Sequence, residues 1–290
     1  MKITAPAKLN LFLHITGRRD DGYHLLESLF VFTEFGDIVD IKSDKTLSLV
    51  IDGPFAETLK NESIENNIAY RAALLLQKKY RVLDGAKIHL IKNIPIGAGL
   101  GGGSSDAAAV LKGLNQLWNL NLNLETLCEI GLLLGADIPA CIIAKPAIIS
   151  GIGETITPFE LPFSIPVLLV NPNLPLATSA VFQAYKNNHQ PFTVCLNQKI
   201  NTANYTVLID SLAAAHNDLQ TSALQLLSEI QTILILLRQQ SGCDLARMSG
   251  SGATCFALFS DFSAAESAMK IITKNHPTFW IQLSSIQCST

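Results

Sequence analysis

The feature that most constrains the fold of this chain is a glycine-rich stretch between two regularly patterned runs. Five glycines fall within Gly97–Gly103, after the alternating run Ala86–Ile94 and before the alanine-rich run Ala107–Leu117. The alternation predicts a strand, and the alanine-rich composition predicts a helix. Because glycine lacks Cβ, backbone N–H groups can converge on one point, where the helix N-terminus adds positive partial charge. The stretch therefore predicts a loop that binds a nucleotide polyphosphate.

The residues after the glycines refine this prediction. Ser104, Ser105 and Asp106 are residue types favoured at a helix N-cap, and the two hydroxyls can also face a phosphate or a magnesium ion. The loop is not a Walker loop, because no lysine follows the glycines before Lys112. Its spacing satisfies the dinucleotide pattern Gly-x-Gly-x-x-Gly, but Glu125, at about the distance of a ribose carboxylate, is expected to open a helix. A surface loop that happens to be glycine-rich is the remaining alternative.

Composition limits the class of protein. The 290 residues are 48% hydrophobic and 16% charged, which predicts a large core and a compact chain. The formal net charge of −3 argues against nucleic acid or an anionic membrane as a partner. Six cysteines without a Cys-x-x-Cys pair predict free thiols in a reducing compartment, and no apolar run is long enough to span a membrane, so we expect a cytoplasmic protein. The histidines lack metal-ligand spacing, so we expect no transition-metal site.

Apolar periodicity predicts both strands and helices along the chain. The predicted strands are Met1–Ile15 (broken at Pro6), an antiparallel set of Leu25–Phe35, Ile38–Ile41 and Leu47–Ile51, and later Cys141–Ile149, Val167–Val170 and Cys255–Phe259. The predicted helices are Asn66–Lys79, Leu124–Leu134 (capped by Gly135), Thr178–Lys186, His216–Leu226, Glu229–Gln240 and Ala264–Lys274. Prolines recur at Pro158, Pro162 and Pro166, so we place the domain boundary there, giving domains 1–157 and 158–290.

Two charged residues indicate what the loop serves. Lys8 lies in an otherwise apolar strand, Asp137 stands shortly before Pro139, and a second glycine loop occurs at Met248–Thr254. Alone, Lys8 can be interpreted as a lysine on an edge strand, and Asp137 can be interpreted as a turn residue. Together with the two glycine loops they suggest phosphoryl transfer. The carboxylate would orient and deprotonate an alcohol, and the lysine would stabilise that carboxylate and the transferring phosphoryl charge.

Five motifs in this order resemble the GHMP kinase superfamily. They are Ala5–Leu13, Gly17–His24, Gly97–Asp106, Leu134–Pro139 and Ser249–Thr254, and they span nearly the whole chain. The resemblance implies an α+β fold of two domains, a ribosomal protein S5 domain 2-like N-terminal domain and an α/β-plait C-terminal domain, with the active site in the cleft between them. The first, second and fourth motifs resemble those of the member that phosphorylates a cytidine-diphosphate-linked methylerythritol in non-mevalonate isoprenoid biosynthesis.

The resemblance implies which residues contact ATP and which react. Asp137 would be the base toward the substrate hydroxyl, with Lys8 beside it. Backbone N–H groups of the glycine loop would wrap the ATP phosphates, and Asn67 would lie near the adenine. The implied ATP-binding residues are Pro95, Ile96, Gly97, Ala98, Gly99, Leu100, Gly101, Gly102, Gly103, Ser104, Ser105 and Asn67. For Ser105 and Asn67, a role as a cap or turn residue fits as well.

The resemblance also implies the substrate contacts. Asn10 would help to position the substrate near its reacting end. Tyr23 and His24 would bind the cytosine, Tyr23 through its ring and His24 through hydrogen bonds, because cytosine offers a stacking face and a donor–acceptor edge. Phe182 would be a second aromatic against the cytosine, with Thr178 one helical turn earlier. Core packing is the alternative for Phe182, and a cap or turn role is the alternative for Thr178.

The implied activity is transfer of the ATP γ-phosphoryl group to the tertiary 2-hydroxyl of this cytidylated substrate, with ATP and Mg²⁺ as cofactors. Mg²⁺ would be held mainly by phosphate oxygens and water, so no metal-binding residue is predicted. The expected partner is a small molecule, and the chain is expected to be a monomer or a weak homodimer. Three alternatives stay open: another superfamily kinase acting on homoserine, mevalonate or a sugar, a non-catalytic nucleotide-binding regulator, and a dinucleotide oxidoreductase.

Overall fold

The structure, a computed structural model, describes residues 1–60, 62–196 and 200–289. The chain forms two compact units that are each built from several segments. Unit 1 comprises Met1–Lys8, Phe35–Ile96 and Gly101–Ala144, and unit 2 comprises Leu9–Glu34, Gly97–Leu100 and Lys145–Thr290. No helix in the described ranges is both long enough and apolar enough to cross a bilayer.

Strands and helices follow one another mostly in runs of two to four elements of the same kind. The strands are β1 (Lys2–Arg18), β2 (His24–Asp44), β3 (Leu47–Asp52), β4 (Gly85–Ile91), β5 (Ala147–Gly151), β6 (Thr155–Pro158), β7 (Ile165–Asn171), β8 (Cys243–Met248), β9 (Cys255–Phe259) and β10 (Trp280–Ile286). The helices are α1 (Ile68–Tyr80), α2 (Gly102–Leu117), α3 (Leu124–Leu132), α4 (Ile138–Ile143), α5 (Thr178–Asn187), α6 (Tyr205–Ala213), α7 (Gln220–Leu226), α8 (Glu229–Arg238) and α9 (Phe262–Asn275).

The sheet of unit 1 places β4 between β3 and the second half of β2. Ile88 of β4 stands opposite Ile41 of β2 and Leu49 of β3, and all three are buried. Helix α2 packs on this row so closely that a Cβ at Gly113 would meet Ile41. The prediction of an antiparallel arrangement is wrong for β3, which pairs with β4 in parallel. The segment between them contains α1, the kind of crossover that parallel pairing requires.

Unit 2 contains an antiparallel sheet in the order β10-β7-β9-β8. Alternate residues of β7 and β9 contribute to one hydrophobic core with buried residues of α8 and α9, as the period of two in a strand requires. The first half of β2 pairs with β5, and β5 pairs with β6. Strand β9 and helix α5 begin at the residues predicted from the sequence.

The predicted break at Pro6 does not occur, and β1 runs continuously through it. In a strand the nitrogen and the carbonyl oxygen of one residue point to the same edge. The carbonyl of Pro6 accepts a hydrogen bond from the Ser105 hydroxyl at 2.7 Å, so this edge faces α2. The missing N–H of proline therefore costs no bond between strands.

Several predicted boundaries are wrong where a short apolar run fits either structure. Strand β2 is one strand instead of two, and Cys141–Ile149, predicted as a strand, divides between the end of α4 and β5. Helix α7 begins at Gln220 rather than His216, and α3 ends at Leu132 without Gly135 as its cap. The sequence did not predict α6, β8 or β10.

The predicted boundary between domains 1–157 and 158–290 does not coincide with the division into compact units. Strands β1 and β2 each contribute residues to both units, which a division at one point of the chain cannot represent. The domain boundary stays a prediction. Part of the polar segment Asn187–Tyr205, residues 197–199, lies outside the described residues.

Buried His14 makes the stability of the protein depend on pH. Its ring lies 4.9 Å from Phe12 and 4.6 Å from His216, between ring centroids. Burial, then the His216 charge, lowers the pKa of His14 from 6.5 to about 4, with Asp218 opposing and Arg247 adding to the shift. Because the folded pKa lies below the unfolded one, the contribution to stability is full above pH 6.5 and is lost as the pH falls toward 4.

We expect the free energy of unfolding to fall by about 3 kcal/mol through this one group between pH 7 and pH 4. Urea unfolding across that range, compared with His14→Gln, measures it. The variant should show a flatter dependence on pH, since Glu27 and Asp218 remain in both proteins. Equal slopes for the two proteins would contradict the assignment.

Candidate functional site

The glycine loop starts α2 at a glycine and not at the predicted cap residues. Gly101 is the N-cap of α2, with a left-handed φ of +62°, and the helix begins at Gly102. A Cβ at Gly101 would lie 3.1 Å from Cε of Lys8. Glycine is needed here because the backbone takes a conformation that other residues avoid and because the Lys8 side chain passes against it. Ser104, Ser105 and Asp106 therefore lie inside the helix, so their prediction as N-cap residues is wrong.

Ser105 is bonded within the protein through both of its donors. Its hydroxyl donates to the Pro6 carbonyl at 2.7 Å, and its N–H donates to the Gly101 carbonyl at 2.9 Å. This ties the first turn of α2 to β1. The N–H groups of a first helical turn have no partner within the helix, so those nearest to an incoming anion belong to Gly102–Ser104.

The structure brings Lys8 and Asp137 together, as the sequence analysis expects. Nζ of Lys8, on β1, lies 3.5 Å from Oδ2 of Asp137, which is the N-cap residue of α4. The Lys8 side chain is 6% exposed and that of Asp137 is 38% exposed. One carboxylate is thus open to solvent beside a mostly buried ammonium group, at the N-terminus of α2. This is a suitable arrangement for holding an alcohol and a phosphoryl group together.

A cavity of about 200 Å³ adjoins this helix terminus. Its lining includes Leu59, Ile64 and Asn67. The Oδ1 of Asn67 accepts a hydrogen bond from the Ala69 N–H at 2.9 Å, so Asn67 caps α1. A Cβ at Gly103 would lie 3.4 Å from Cγ2 of Ile68, next to Asn67. The N-termini of α1 and α2 therefore meet, and the mostly apolar cavity lies close to the start of α2.

A buried charged cluster holds both ends of the glycine loop. Lys92 donates to Asp37 of β2 and, at 2.6 Å, to Asp106 of α2, and all three residues are buried. Asp37 also accepts the N–H groups of Asn93 at 2.6 Å and Ile94 at 2.8 Å. The cluster thus fixes the residues that enter the loop and the helix that leaves it.

Burial sets the charges of this cluster. It raises the pKa of Asp106 above the ordinary value for a carboxyl group, with Lys92 opposing. Burial alone would lower the pKa of Lys92, but Asp106 and Asp37 together raise it. The other oxygen of Asp106, Oδ1, is buried and has no hydrogen-bond partner among the described residues. Asp106 is therefore part of an internal ion cluster and not a helix cap.

In unit 2, the first part of the glycine loop is bonded to the second glycine loop. The Ser249 hydroxyl donates to the Gly99 carbonyl at 3.0 Å, and the Thr254 N–H donates to the Ala98 carbonyl at 3.2 Å. Gly99 has a φ of +75°, and a Cβ there would meet the Ser249 carbonyl oxygen. The second loop therefore supports the first. The side chains of Ala98 and Leu100 are buried, whereas Ile96 and Gly97 are exposed.

Asn10 lies where β1 contacts the second glycine loop. Its side-chain amide donates to the Ser28 hydroxyl at 2.8 Å, and Ser28 donates to the Phe12 carbonyl. Its N–H donates to the Ser249 hydroxyl at 3.2 Å. Asn10 is 2% exposed, so its predicted substrate contact stays a prediction.

The residues predicted to bind cytosine divide into an exposed one and a packed pair. Tyr23 is 64% exposed. The His24 ring stacks on Phe182, with 5.4 Å between centroids, and meets Tyr185 edge-on at 5.7 Å. Burial, with the nearby charges of Arg18 and Lys186, lowers the pKa of His24 below its ordinary value. His24 is therefore a neutral imidazole at neutral pH, with one donor and one acceptor nitrogen.

Thr178 and Ser251 join the start of α5 to the second glycine loop. Their hydroxyl oxygens lie 2.8 Å apart. Thr178 is exposed and is the first residue of α5, so its side chain remains within reach of a ligand. Its predicted substrate contact stays a prediction.

The residues present fit magnesium only as part of a nucleotide complex. Within the described ranges, no group of three His, Cys, Asp or Glu residues could hold a metal ion. Asp137 is paired with Lys8. Asp37 and Asp106, which lie near the start of α2, are both buried on Lys92. Mg²⁺ commonly keeps water ligands and takes phosphate oxygens with one or two carboxylates. Phosphate oxygens would therefore be its principal ligands here.

The role of Lys92 was not predicted from the sequence, although the pattern of β4 contained a signal. Ala86, Ile88 and Leu90 share one face of the strand, and continuing that period of two places Lys92 on the same buried face. A lysine in that position requires carboxylate partners. No sequence pattern predicted the contact of Tyr185 with His24, because that contact depends on tertiary structure.

Comparisons with known proteins agree with this geometry. The GHMP kinases N terminal domain matches residues 67–145, and the GHMP kinases C terminal domain matches residues 205–278. The chain is 41% identical to 4-diphosphocytidyl-2-C-methyl-D-erythritol kinase of Chelativorans sp. (strain BNC1), over 100% of this chain and 97% of the relative. It is 44% identical to the enzyme of that name from Brucella melitensis biotype 1, over 94% of this chain and 91% of the relative.

A solved structure extends the similarity to the fold. The crystal structure of a 4-(cytidine 5'-diphospho)-2C-methyl-D-erythritol kinase has a TM-score of 0.81 and 31% sequence identity, over 99% of both chains. The predicted α+β fold of the GHMP kinases is thereby confirmed. These matches are all to kinases, and so they do not agree with the alternative of a dinucleotide oxidoreductase. The chain belongs to the GHMP kinases, within their family of 4-diphosphocytidyl-2-C-methyl-D-erythritol kinases.

Proposed function

We propose that this protein transfers the γ-phosphoryl group of ATP to the 2-hydroxyl of 4-diphosphocytidyl-2-C-methyl-D-erythritol. The observation that carries the proposal is the Lys8–Asp137 pair, whose lysine runs along Gly101 at the start of α2. The pair offers a carboxylate for an alcohol and an ammonium group for phosphoryl charge. The identity of the relatives supports the choice of substrate.

ATP binds in this proposal through its phosphates and its base. The phosphates accept hydrogen bonds from N–H groups of Gly97–Ser104 and interact with the positive end of α2. The adenine occupies the cavity of about 200 Å³ at Asn67, whose apolar lining suits a planar base. Mg²⁺ bound to the nucleotide phosphates would neutralise part of their charge, and the complex would be held by the loop N–H groups through the phosphate oxygens.

Asp137 and Lys8 act on the reacting groups. The 2-hydroxyl donates a hydrogen bond to the Asp137 carboxylate, which takes the proton as the oxygen–phosphorus bond forms and the bond to the ADP oxygen breaks. Lys8 orients the Asp137 carboxylate through their 3.5 Å contact and stabilises the charge on the transferring group. A tertiary alcohol is hindered and weakly acidic, so alignment and charge stabilisation contribute more than the strength of the base.

The cytidine end of the substrate is bound by aromatic residues and by His24. Tyr23 is exposed and supplies a stacking face, and neutral His24 supplies a donor and an acceptor to the cytosine edge. Phe182 and Tyr185 hold the His24 ring in one orientation. Phe182 is also proposed as the second aromatic residue against the cytosine, and Thr178 and Asn10 are the further proposed substrate contacts.

Replacing His24 with alanine should raise KM for the cytidylated substrate roughly 10- to 100-fold, because hydrogen bonds to the base edge worth ~1–3 kcal/mol are lost. Steady-state kinetics with varied substrate at saturating ATP measures this. His189→Ala, at an exposed histidine in the same unit, is the control and should leave KM unchanged. A His24→Ala enzyme with wild-type KM would place the cytosine elsewhere.

An ATP-consumption assay tests the proposed function. The protein is offered the cytidylated methylerythritol, mevalonate and homoserine in parallel. We expect turnover with the cytidylated substrate and little with the other two. Preferential turnover of mevalonate or homoserine would assign the protein to another kinase activity of the superfamily.

A further inference from the structure

Unit 2 contains a second cavity, which is polar. None of the residues assigned above to ATP or to the cytidylated substrate line it. It has a volume of about 360 Å³ and lies among the end of α8, strand β8 and the turn before α7. Its lining includes His216, Gln220, Arg238, Asp244 and Arg247. The volume suits a small molecule rather than a polymer.

Arg247 carries a buried charge that is not paired with a carboxylate of any described residue. It is 7% exposed, and its guanidinium group donates to the carbonyls of Leu11 at 2.5 Å, Leu212 at 2.8 Å and Ala215 at 2.6 Å. These acceptors are neutral. Arg247 forms no ion pair with any carboxylate in the described part of the chain. A buried cation without a counter-ion is strongly unfavourable.

A second guanidinium group adds to this charge. Arg238, the exposed last residue of α8, lines the same cavity. Burial, with Arg238 as a further cause, lowers the pKa of Arg247 to about 10. Two guanidinium groups that repel each other across a cavity form a favourable place for an anion, since one oxyanion can accept from both.

The other polar groups of the lining either donate or have partners. Gln220 accepts the Met248 N–H through Oε1 at 3.1 Å, which leaves its NH₂ group as a donor. His216 pairs with Asp218 through Nε2 at 2.7 Å. Asp244 is the one carboxylate among the residues that line the cavity, and its Oδ2 accepts from the Tyr205 hydroxyl at 2.8 Å and the Ser260 N–H at 3.1 Å. The balance of the lining is cationic.

We propose that this cavity binds a small phosphate-bearing anion that bridges Arg238 and Arg247, with the side-chain amide of Gln220 as a further donor. Residues that line this cavity also form hydrogen bonds to β1 next to Asn10 and to the second glycine loop. Arg247 is bonded to the carbonyl of Leu11, next to Asn10, and Asn217 donates to the carbonyls of Met248 and Gly250 at 2.8 Å each. Binding of the anion would therefore change how firmly the second glycine loop is supported. The consequence of this for the enzyme rests on the proposed function.

Calorimetric titration tests the binding itself, without any need for kinase activity. Inorganic phosphate and diphosphate are each titrated into the full chain, without Mg²⁺ and at ionic strength held constant with sodium chloride. A saturating non-hydrolysable ATP analogue is present, so that the glycine loop is already occupied. We expect one site per chain. Arg238→Gln should weaken it at least tenfold, because a charge-assisted contact is lost.

A matched variant and a stability measurement separate binding at the cavity from a general effect of charge. Lys274→Gln removes one exposed positive charge from α9 in the same unit and should leave the affinity unchanged. Arg238 is exposed, so its replacement should leave the thermal unfolding temperature without ligand unchanged. Absence of binding in the presence of the ATP analogue, or equal affinity in Arg238→Gln and the unaltered protein, would each overturn the proposal. None of these results depends on which alcohol the enzyme phosphorylates.

Discussion

Replacing Asp137 with asparagine is expected to lower kcat by about 10²–10⁴-fold, the range found when a positioned general base is lost. The Asp137 carboxylate lies 3.5 Å from Nζ of Lys8, and its side chain is 38% exposed. Asparagine has nearly the same shape, so the N-terminus of α4 should keep its structure. It cannot accept the proton of the 2-hydroxyl, and it no longer offers a negative charge to Lys8.

Binding of ATP should survive this replacement, because in the proposed site the phosphates contact the glycine loop and not Asp137. Equilibrium titration of a fluorescent ATP analogue and single-turnover kinetics measure binding and chemistry separately. Asp84→Asn, at an exposed aspartate of unit 1, is the control and should behave as wild type. If Asp137→Asn turned over at the wild-type rate, the proposed base would be wrong. If the wild-type protein bound ATP but transferred no phosphoryl group, the alternative of a nucleotide-binding regulator would gain support.

Replacing Lys92 with methionine should reduce the free energy of unfolding by about 3–5 kcal/mol, the cost of leaving buried charges unpaired. Asp37 and Asp106 would both lose their ammonium partner while remaining buried. Asp37 also holds the N–H groups that enter the glycine loop, so KM for ATP should rise as well. Urea unfolding and steady-state kinetics measure the two effects.

A second variant makes this prediction specific to charge. Lys92→Met combined with Asp106→Asn should recover part of the lost stability, because a buried amide does not require a counter-ion. Lys87→Met, at an exposed lysine of the same strand, should change stability by less than ~0.5 kcal/mol. If Lys92→Met were as stable as Lys87→Met, the cluster would have no part in holding the loop.

The parts of the site that were predicted from the sequence are those that depend on local pattern. The glycines before an alanine-rich run indicated a phosphate-binding turn, and the structure starts α2 at Gly102. Lys8 stood out as a charge in an apolar strand, whereas Asp137 gained its predicted role from the two glycine loops and the family resemblance, and the structure places the two side chains 3.5 Å apart. The order of the five motifs indicated the family. The similarity of the whole chain to its relatives confirmed that family.

The parts that failed depend on tertiary contacts. Ser104, Ser105 and Asp106 have good N-cap side chains, but Gly101 takes the cap because its left-handed backbone can pass Lys8 without a clash. Pro6 suggested a broken strand, yet its edge of β1 faces a hydroxyl of α2. Sequence patterns report which face of a strand is apolar, but they do not report which element lies along its edge.

The position of the transferred phosphoryl group tests the central claim most directly. Wild-type protein is incubated with ATP, Mg²⁺ and the cytidylated methylerythritol, and the product is examined by ³¹P NMR without proton decoupling. The 2-carbon carries no hydrogen, so a phosphate on its oxygen should give a new phosphomonoester signal that is not split by a neighbouring proton. A signal split by the protons of a primary or secondary carbon, or release of inorganic phosphate alone, would contradict the account.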